Sequence, residues 1–308
     1  MQRTYVMKLY NLMKNDSNVI SCLSDSGTDY DEMIAREMPN QFLNFGISEN
    51  NKVAAAAGLA ACGKIPFVYT TNAFLAYRSY EFIRDDVCLQ NKNVKLIGMG
   101  CGLSWSTLGS THHTTEDISA LKALPNLVIL SPASPKELED CMEYAYNHIG
   151  PVYIRIGMGH EREIYEESSE FDINKIKVIR DGVDATVFTT GSIIADVLDA
   201  VEKLAEEQIK IKVINIPTIK PLPFKEILKE CNNQYNIISV EEHNIIGGLG
   251  SSIADVIASE GCNCKLTKIG LNDTFATGYG THLQVKEMNG LGVNEIYTKI
   301  KEAIKKES

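Results

Sequence analysis

Glu49 occupies a position in this sequence that suggests chemistry. This carboxylate lies between a short apolar segment, Phe42–Phe45, and an alanine-rich segment, Asn51–Cys62, that is predicted to form a helix. A carboxyl group at such a junction is expected to be half-buried. Burial raises the pKa of a carboxyl group, and the protonated form can then form a strong hydrogen bond with a ring nitrogen. The alternative is a helix N-terminal carboxylate that accepts hydrogen bonds from free backbone N–H groups. The spacing alone leaves both interpretations open.

A pair of histidines and one arginine are further candidates. His112 and His113 lie in a loop of small and hydroxylated residues, which is a poor environment for a packed core histidine. Because an imidazole titrates near neutral pH, at least one of them is predicted to face a substrate; a surface histidine is the alternative for His113. Arg155, in the predicted strand Val152–Ile156, can bind a phosphate or carboxylate through two hydrogen bonds, or form only a structural ion pair.

Several familiar chemistries are excluded by spacing. The sequence has no Walker A motif, no GxGxxG after a strand, no HExxH and no GxSxG. The glycine-rich run Gly247–Gly250 opens a predicted helix, so an anion site is conceivable there, although a tight turn is favoured. The eight cysteines include no CxxC pair, which predicts reduced thiols and no zinc site. No metal ligand is assigned to this chain.

The elements that must position these residues follow a regular alternation. Short apolar runs alternate with helix-like segments, which indicates an α/β protein with parallel sheets. The predicted strands are Val19–Leu23, Phe42–Phe45, Ile65–Tyr69, Val94–Met99, Leu127–Leu130, Val152–Ile156, Ala185–Thr189, Ile211–Ile214, Asn236–Val240 and Lys265–Ile269. The helices predicted between them include Asn51–Cys62, Ala73–Cys88 and Lys136–Asn147. An acidic, non-periodic stretch predicts a linker at 161–184 between two consecutive α/β domains with mostly parallel sheets, 1–160 and 185–308.

The composition excludes other classes of protein. The 308 residues are 44% hydrophobic and 23% charged, enough for two domains with cores of their own. A net charge of −10 without a strongly basic stretch argues against nucleic-acid binding. No apolar stretch approaches the ~18 residues of a membrane span, and the first residues lack the pattern of a signal peptide. These features predict a soluble, cytoplasmic protein with neither nucleic acid nor membrane as a partner.

The residues around Glu49 are the first evidence of a family resemblance. The segment Gly46–Asn50 followed by Ala54–Leu59 resembles the pyrimidine-binding domain of the transketolase family. Other segments resemble that family in the same order: Thr70–Tyr80, Gly109–His113 with Glu116 and Asp117, Leu124–Asn126, Ser131–Ala133, Pro151–Arg155, and Glu241–His243 with Gly247–Gly250. The resemblance extends from about Val19 to Gly292. It implies a thiamine-diphosphate pyrimidine-binding domain followed by a smaller transketolase C-terminal-like domain.

The resemblance also implies roles for individual residues. Glu49 would be catalytic and cofactor-binding, holding N1′ of the aminopyrimidine of thiamine diphosphate and promoting its tautomerisation. Phe74 and Tyr77 would bind the cofactor by packing near that ring, although their i, i+3 spacing also suits core aromatics. His112 would be catalytic, exchanging protons with the hydroxyls of the substrate. The substrate-binding residues would be His112, His113 and Arg155.

One expected motif is missing. The family's diphosphate and metal site, a Gly-Asp-Gly followed later by Asn-Asn, does not occur in this sequence. The resemblance therefore implies the C-terminal subunit of a split transketolase, active only with a separate N-terminal subunit that carries the diphosphate and Mg²⁺ site. Because each cofactor would lie between subunits, we expect a homodimer of this chain within an α2β2 heterotetramer.

Three positions depart from the family pattern and bear on the substrate. Where better-known members have a His-Asp pair and a further aspartate, this sequence has Gly100-Cys101 and Leu108. With fewer groups to bind hydroxyls, the pocket is predicted to take a modified, deoxy or nucleotide-linked sugar. The implied reaction is transfer of a two-carbon ketol unit from a ketose to an aldehyde or ketone sugar acceptor. The alternatives are a 2-oxoacid dehydrogenase β subunit, a deoxyxylulose-phosphate-synthase-like carboligase, and a non-catalytic paralogue.

Overall fold

Strands and helices alternate along the chain, as the apolar periodicity predicts. The computed structural model describes residues 1–25, 29–158, 161–165 and 171–305; part of the expected linker, 166–170, lies outside the described residues. The strands are β1 (Val19–Leu23), β2 (Phe42–Asn44), β3 (Ile65–Thr71), β4 (Lys95–Met99), β5 (Val128–Leu130), β6 (Val152–Ile156), β7 (Lys177–Arg180), β8 (Ala185–Thr189), β9 (Ile211–Asn215), β10 (Thr218–Lys220), β11 (Asn236–Asn244) and β12 (Lys265–Leu271). The α-helices are α1 (Gln2–Asn15), α2 (Asp29–Glu37), α3 (Glu49–Ala61), α4 (Tyr80–Phe82), α5 (Asp117–Lys122), α6 (Pro135–Asn147), α7 (Ile194–Glu206), α8 (Phe224–Asn233), α9 (Leu249–Glu260), α10 (His282–Met288) and α11 (Val293–Ile304).

The first sheet collects the candidate residues at one edge. Its strand order is β10-β5-β6-β4-β3-β1-β2, and every neighbouring pair from β5 to β2 is parallel. Strands β1, β4 and β6 are buried along their whole length, which explains why most of their residues are apolar. Since parallel strands place their carboxyl ends together, the segments that follow β2, β3 and β4 meet there.

The second sheet begins earlier in the sequence than expected. Its strand order is β12-β11-β8-β9-β7, parallel except where β7 pairs antiparallel with β9. Strand β7 lies inside the segment 161–184 that is predicted to be a linker, so the true connection is shorter. The strand is short, and its four residues are only half-buried or exposed. A short edge strand of this kind lacks the apolar run that would have predicted it.

Strand β10 ties the two halves of the chain together. It follows β9 in the second half but pairs antiparallel with β5 at the edge of the first sheet. The same apolar core contains Leu124 and Ile129 from the first half and Phe188 and Ile253 from the second. Because the halves share a sheet and a core, side chains from both have fixed positions around the site. The predicted fold class, two α/β domains with mostly parallel sheets, is confirmed.

The segment after β3 is not the continuous α-helix predicted for 73–88. Residues Phe74–Arg78 and Ile83–Cys88 form π-helical turns, separated by the short helix α4. Such turns are rare and occur frequently at functional sites.

Among the described residues, none of the helices combines the length and the apolar character that a membrane span requires.

Candidate functional site

Glu49 is the first residue of α3 and is almost completely buried. Gly46 adopts a positive φ of 58° in the turn from β2 to α3, and its N–H donates to Asn44 Oδ1 at 2.8 Å. This turn places Glu49 at the carboxyl edge of the sheet, with only 4% of its surface exposed. Its Oε2 accepts a hydrogen bond of 2.6 Å from Arg78 Nη1. The carboxylate therefore lies in an ion pair with a residue of the segment that follows β3.

A row of rings continues from this ion pair. The guanidinium of Arg78 lies over the Phe74 ring, with Cζ 4.4 Å from the ring centroid. The Phe74 ring meets His112 edge-on at 5.2 Å between centroids, and His112 meets Trp105 at 6.1 Å. We call these five residues the site cluster: Glu49, Arg78, Phe74, His112 and Trp105. It brings together residues that follow β2, β3 and β4.

Tyr77 lies beside the site cluster rather than in the core. It is 38% exposed, which disfavours the alternative of a packed core aromatic. The hydroxyl donates to Glu116 Oε2 at 2.6 Å and accepts from the Glu116 N–H at 3.0 Å. Burial of the hydroxyl and the nearby carboxylates raise the pKa of Tyr77, so it remains a neutral donor. Tyr77 thus connects the segment after β3 with the loop that contains His112, His113 and Glu116, which we call the histidine loop.

The two histidines have different environments. His112 is half-buried, and its Nδ1 lies 3.0 Å from Thr111 Oγ1. His113 is 4% exposed, so it is not a surface histidine. Neither ring nitrogen of His113 has a hydrogen-bond partner within the described part of the chain. Burial lowers the pKa of His113, which keeps the ring neutral and leaves one donor and one acceptor without a partner.

Arg155 is buried in a network that the sequence motifs do not predict. Its Nε donates to Asp117 Oδ2 at 2.9 Å, and its Nη2 donates to the carbonyl oxygen of Glu242 at 3.1 Å. Asp117 Oδ2 also accepts from the Tyr153 hydroxyl at 2.6 Å and from Asn72 Nδ2 at 3.0 Å. Burial alone would raise the pKa of Asp117, but the Arg155 guanidinium holds it below its usual value. The structure therefore favours the structural ion pair for Arg155 over contact with a substrate.

One of the three departures from the family pattern, Gly100, is covered by Trp105. Gly100 has a positive φ of 80°, and a Cβ added there would lie 2.2 Å from Trp105 Nε1. The indole therefore packs against the Gly100 backbone, where any side chain would collide with it. Cys101 is buried and its Sγ lies 3.2 Å from Asn72 Nδ2, whereas Leu108 is 45% exposed. Trp105 is not among the predicted site residues, although it is the only tryptophan in the sequence.

The glycine-rich run holds a carboxylate of the chain itself. Glu241 accepts hydrogen bonds from the N–H groups of Leu249 at 2.7 Å and Gly250 at 2.9 Å, at the start of α9. A Cβ added at Gly248 would lie 2.0 Å from Glu241 Oε2. The turn interpretation is therefore supported, because the conceivable anion site is filled by Glu241.

Glu242 links the second half of the chain to the loop after β4. Its Oε1 accepts from the Leu103 N–H at 2.5 Å and lies 2.7 Å from His282 Nε2. Burial alone would raise the pKa of Glu242, but His282 and the Leu103 N–H lower it to about 2. The same carboxylate raises the pKa of His282. Among the described residues, no group of three or more His, Cys, Asp or Glu side chains could hold a metal ion.

Comparison with known proteins matches both halves of the chain to one family. Residues 1–160 match the transketolase pyrimidine binding domain, and residues 174–296 match the transketolase C-terminal domain. The chain is 35% identical over 292 residues to a subunit of the apulose-4-phosphate transketolase of Actinobacillus succinogenes, with 94% of each chain covered. It is 36% identical over 310 residues to a putative transketolase C-terminal section of Methanocaldococcus jannaschii, covering 100% of this chain and 97% of the relative.

A solved structure extends the similarity to three dimensions. The protein described as a split gene transketolase, inactive beta4 tetramer, superposes with a TM-score of 0.89 at 30% sequence identity. The match covers 98% of this chain and 97% of that chain. Both domains, in the same order and over almost the whole length, are thus shared with proteins of one family. The chain belongs to the transketolase family and comprises its pyrimidine-binding and C-terminal domains, the part found in the C-terminal subunit of split transketolases.

Proposed function

We propose that the chain is the C-terminal subunit of a thiamine-diphosphate-dependent transketolase. With a separate N-terminal subunit, it would transfer a two-carbon ketol unit from a ketose to an aldehyde or ketone sugar acceptor. The observation that carries this proposal is the site cluster, in which a buried carboxylate, an aromatic face and an imidazole are in continuous contact. A carboxylate and a ring face suit a planar nitrogen heterocycle, and the imidazole suits proton exchange with hydroxyl groups.

The site cluster fits the aminopyrimidine half of the cofactor. When bound, thiamine diphosphate supplies the nucleophilic carbon that carries the two-carbon unit. Glu49 would hold a proton between its carboxylate and a ring nitrogen, and its burial keeps water from competing for that hydrogen bond. Phe74 would offer its ring face, and Tyr77, fixed by Glu116, would limit access of water from the side.

The histidines would act on the substrate. His112 is held between Phe74 and Trp105, with Nδ1 near Thr111, so Nε2 would exchange a proton with a substrate hydroxyl. The unpartnered nitrogens of His113 support a hydroxylated substrate, because a buried donor and acceptor are costly unless a ligand satisfies them. Arg155, paired with Asp117, would hold the walls of the site without touching the substrate.

The site is open to a partner on one side. Exposed apolar side chains from both halves of the chain support a subunit interface around it: Tyr77, Leu108, Phe275 and Tyr279. Phe275 lines a cavity together with Glu116, the partner of Tyr77, and the Tyr279 ring lies against Gly109 in the histidine loop. We propose that the N-terminal subunit covers this surface and supplies the diphosphate and Mg²⁺ site. Two copies of each chain would form an α2β2 heterotetramer.

The substrate is proposed to be a modified sugar phosphate. The Actinobacillus relative is named for apulose 4-phosphate, and this chain lacks the polar groups expected from the family pattern at Gly100, Cys101 and Leu108. Trp105 would replace them with an apolar wall against Gly100. Such a wall accepts a carbon skeleton with fewer hydroxyl groups than an ordinary ketose phosphate carries on that side.

Reconstitution tests the proposal. The chain is mixed with an N-terminal subunit that carries the Gly-Asp-Gly and Asn-Asn motifs, and thiamine diphosphate with Mg²⁺ is titrated by calorimetry. We expect tight binding by the mixture and none by either subunit alone, since each would hold half of the cofactor. Micromolar or tighter binding by this chain alone would contradict the division of the site.

The reaction is then assayed with the reconstituted complex. Ketose phosphates, apulose 4-phosphate included, are supplied together with an aldehyde acceptor, and release of the aldehyde or ketone product that is two carbons shorter than the donor is measured. Pyruvate is the comparison donor. Decarboxylation of pyruvate without cleavage of any ketose would contradict ketol transfer and would indicate a 2-oxoacid reaction instead.

A further inference from the structure

Arg78 makes both contacts that the proposed function assigns to the aminopyrimidine. Its Nη1 donates to Glu49 Oε2 at 2.6 Å, and its Cζ lies 4.4 Å from the centroid of the Phe74 ring. A guanidinium is planar, carries N–H donors in its plane and stacks on aromatic faces. It can therefore satisfy a carboxylate and a ring face as a flat, nitrogen-containing heterocycle would.

We propose that Arg78 is a placeholder for the cofactor. Its guanidinium makes the contacts with Glu49 and Phe74 that the aminopyrimidine would make, and thiamine diphosphate must displace it to reach Glu49. This inference rests on the proposed function, since it assumes that Glu49 and Phe74 bind the pyrimidine. It goes further by assigning a role to a residue that no sequence motif singles out.

The difference in burial between the two partners supports the exchange. The side chain of Glu49 is 4% exposed, whereas that of Arg78 is 45% exposed. A carboxylate so deeply buried is costly without a partner, and it needs a donor until another one arrives. Arg78 is already nearly half in water, so it can move its charge outward with a small loss. The pair is thus stable in the free chain and easily opened from the Arg78 side.

Displacement has a measurable consequence. The contacts of Arg78 with Glu49 and Phe74 are lost when the cofactor binds, so they lower its apparent affinity. Removing the guanidinium should therefore tighten cofactor binding. The same substitution should destabilise the free chain, because Glu49 loses its partner. A purely structural role for Arg78 would predict the second effect without the first.

The test compares Arg78→Met with wild type in two measurements. Calorimetry of thiamine diphosphate binding to the complex with the N-terminal subunit should give a Kd that is lower by about 3–10-fold. Thermal unfolding of the free chain should show a Tm that is lower by about 2–4 °C. Neither measurement depends on turnover.

Two further variants sharpen the comparison. Arg84→Met removes the same side chain six residues along the chain, where the guanidinium pairs with Asp85 at the surface. We expect no change in Kd and little in Tm for this control. Arg78→Lys retains the charge but loses the planar stack on Phe74, so its Kd should lie between those of wild type and Arg78→Met.

The outcomes separate this inference from the proposed function. If wild type binds thiamine diphosphate and Arg78→Met binds it equally or more weakly, Arg78 is not displaced and the placeholder role is overturned, while the proposed function stands. If neither wild type nor any variant binds thiamine diphosphate in the complex, both fail. Tighter binding together with a lower Tm for Arg78→Met is the result that supports displacement.

Discussion

Glu49 combines two properties that are difficult to reconcile in a single residue. It is an acid at the start of a helix, and it is almost inaccessible to water. A helix N-terminus attracts a carboxylate, which explains why the helix-cap interpretation is reasonable from spacing alone. The structure instead pairs the carboxylate with Arg78, over the ring of Phe74. The chemistry of this residue therefore depends on a partner 29 positions along the chain.

The substitution Glu49→Gln tests this residue. The amide has nearly the same shape, so folding and assembly should be almost unchanged. Exchange of the C2 hydrogen of bound thiamine diphosphate with deuterium should slow by a factor on the order of 10²–10⁴, as expected when acid–base assistance is lost. Glu37→Gln is the matched control, because Glu37 is a surface carboxylate that accepts a hydrogen bond from the Tyr10 hydroxyl. An unchanged exchange rate in the assembled Glu49→Gln variant would remove Glu49 from the mechanism.

At the scale of elements, the buried strands are predictable from the sequence, whereas two short edge strands, β7 and β10, are not. Strands β1, β3 and β6 are mostly apolar because both of their faces are covered, and the sequence shows this directly. Strands β7 and β10 have four and three residues, and neither contains a continuous apolar run that would mark it as a strand. Their positions depend on pairing with distant strands, which no local pattern encodes.

The candidate site shows the same division. Glu49, Phe74 and His112 can be proposed from motifs, and the structure brings all three into one cluster. Arg78 and Trp105 cannot, because their importance arises from contacts made after the strands are assembled. The π-helical turn at Phe74–Arg78 is also beyond local inference, since a π turn has nearly the same composition as an α turn.

The start of α9 supplies a prediction for an element. Gly248→Ala would place a Cβ 2.0 Å from Glu241 Oε2, so the carboxylate would have to leave the helix N-terminus. We expect a loss of about 1–3 kcal/mol in the free energy of unfolding. Gly58→Ala, within α3 and with no atom within 4 Å of the added Cβ, should instead add about 0.5–1 kcal/mol. Urea unfolding of the free chain measures both, and equal effects would contradict the role of Glu241.

At the scale of the whole molecule, the Glu242 carboxylate, which forms an ion pair with His282, connects the two halves of the chain. Glu242 Oε1 accepts a hydrogen bond from the Leu103 N–H of the first half, and it lies within hydrogen-bond distance of His282 Nε2 of the second half. The pKa of Glu242 is lowered from 4.5 to about 2, so its contribution to stability is complete above pH 4.5 and is lost as the pH falls through about 2. The pKa of His282 is raised from 6.5, so its contribution is complete below pH 6.5 and is lost as the pH rises through the raised value.

This ion pair predicts a pH dependence with a definite sign. Between about pH 5.5 and pH 8.5, wild type should lose more free energy of unfolding than His282→Gln, because only wild type releases the His282 proton. Burial lowers the pKa of His148, which gives the opposite slope but acts equally in both proteins. His282 itself helps to lower the pKa of His113, so the Gln variant loses part of that opposite slope, and this reduces the expected difference. Urea unfolding at the two pH values gives the difference. Parallel losses would show that His282 does not titrate with folding.

Assembly is the prediction for the complete enzyme. If each cofactor lies between subunits, the mixture should contain two copies of this chain and two of its partner. Light scattering should then report twice 34.1 kDa plus the mass of two partner subunits. The alanine-rich helix α3 could pack closely at such an interface, because small side chains allow backbones to approach. A stable and fully active one-to-one complex would contradict the α2β2 assembly.

The antiparallel pairing of β10 with β5 has a consequence for how this polypeptide can be divided. A fragment ending at residue 165 would contain the whole region that matches the pyrimidine-binding domain, yet it would lack the last strand of its own sheet. The exposed edge of β5, with unpaired N–H and C=O groups, would invite association with other chains. We expect this fragment to aggregate when it is expressed alone, whereas the full chain remains dispersed, and sedimentation distinguishes the two. A dispersed, folded fragment would show that β10 is dispensable. If the fragment aggregates, the two domains form a single module for gene fusion, recombination and engineering. The polypeptide can then be divided only outside this module.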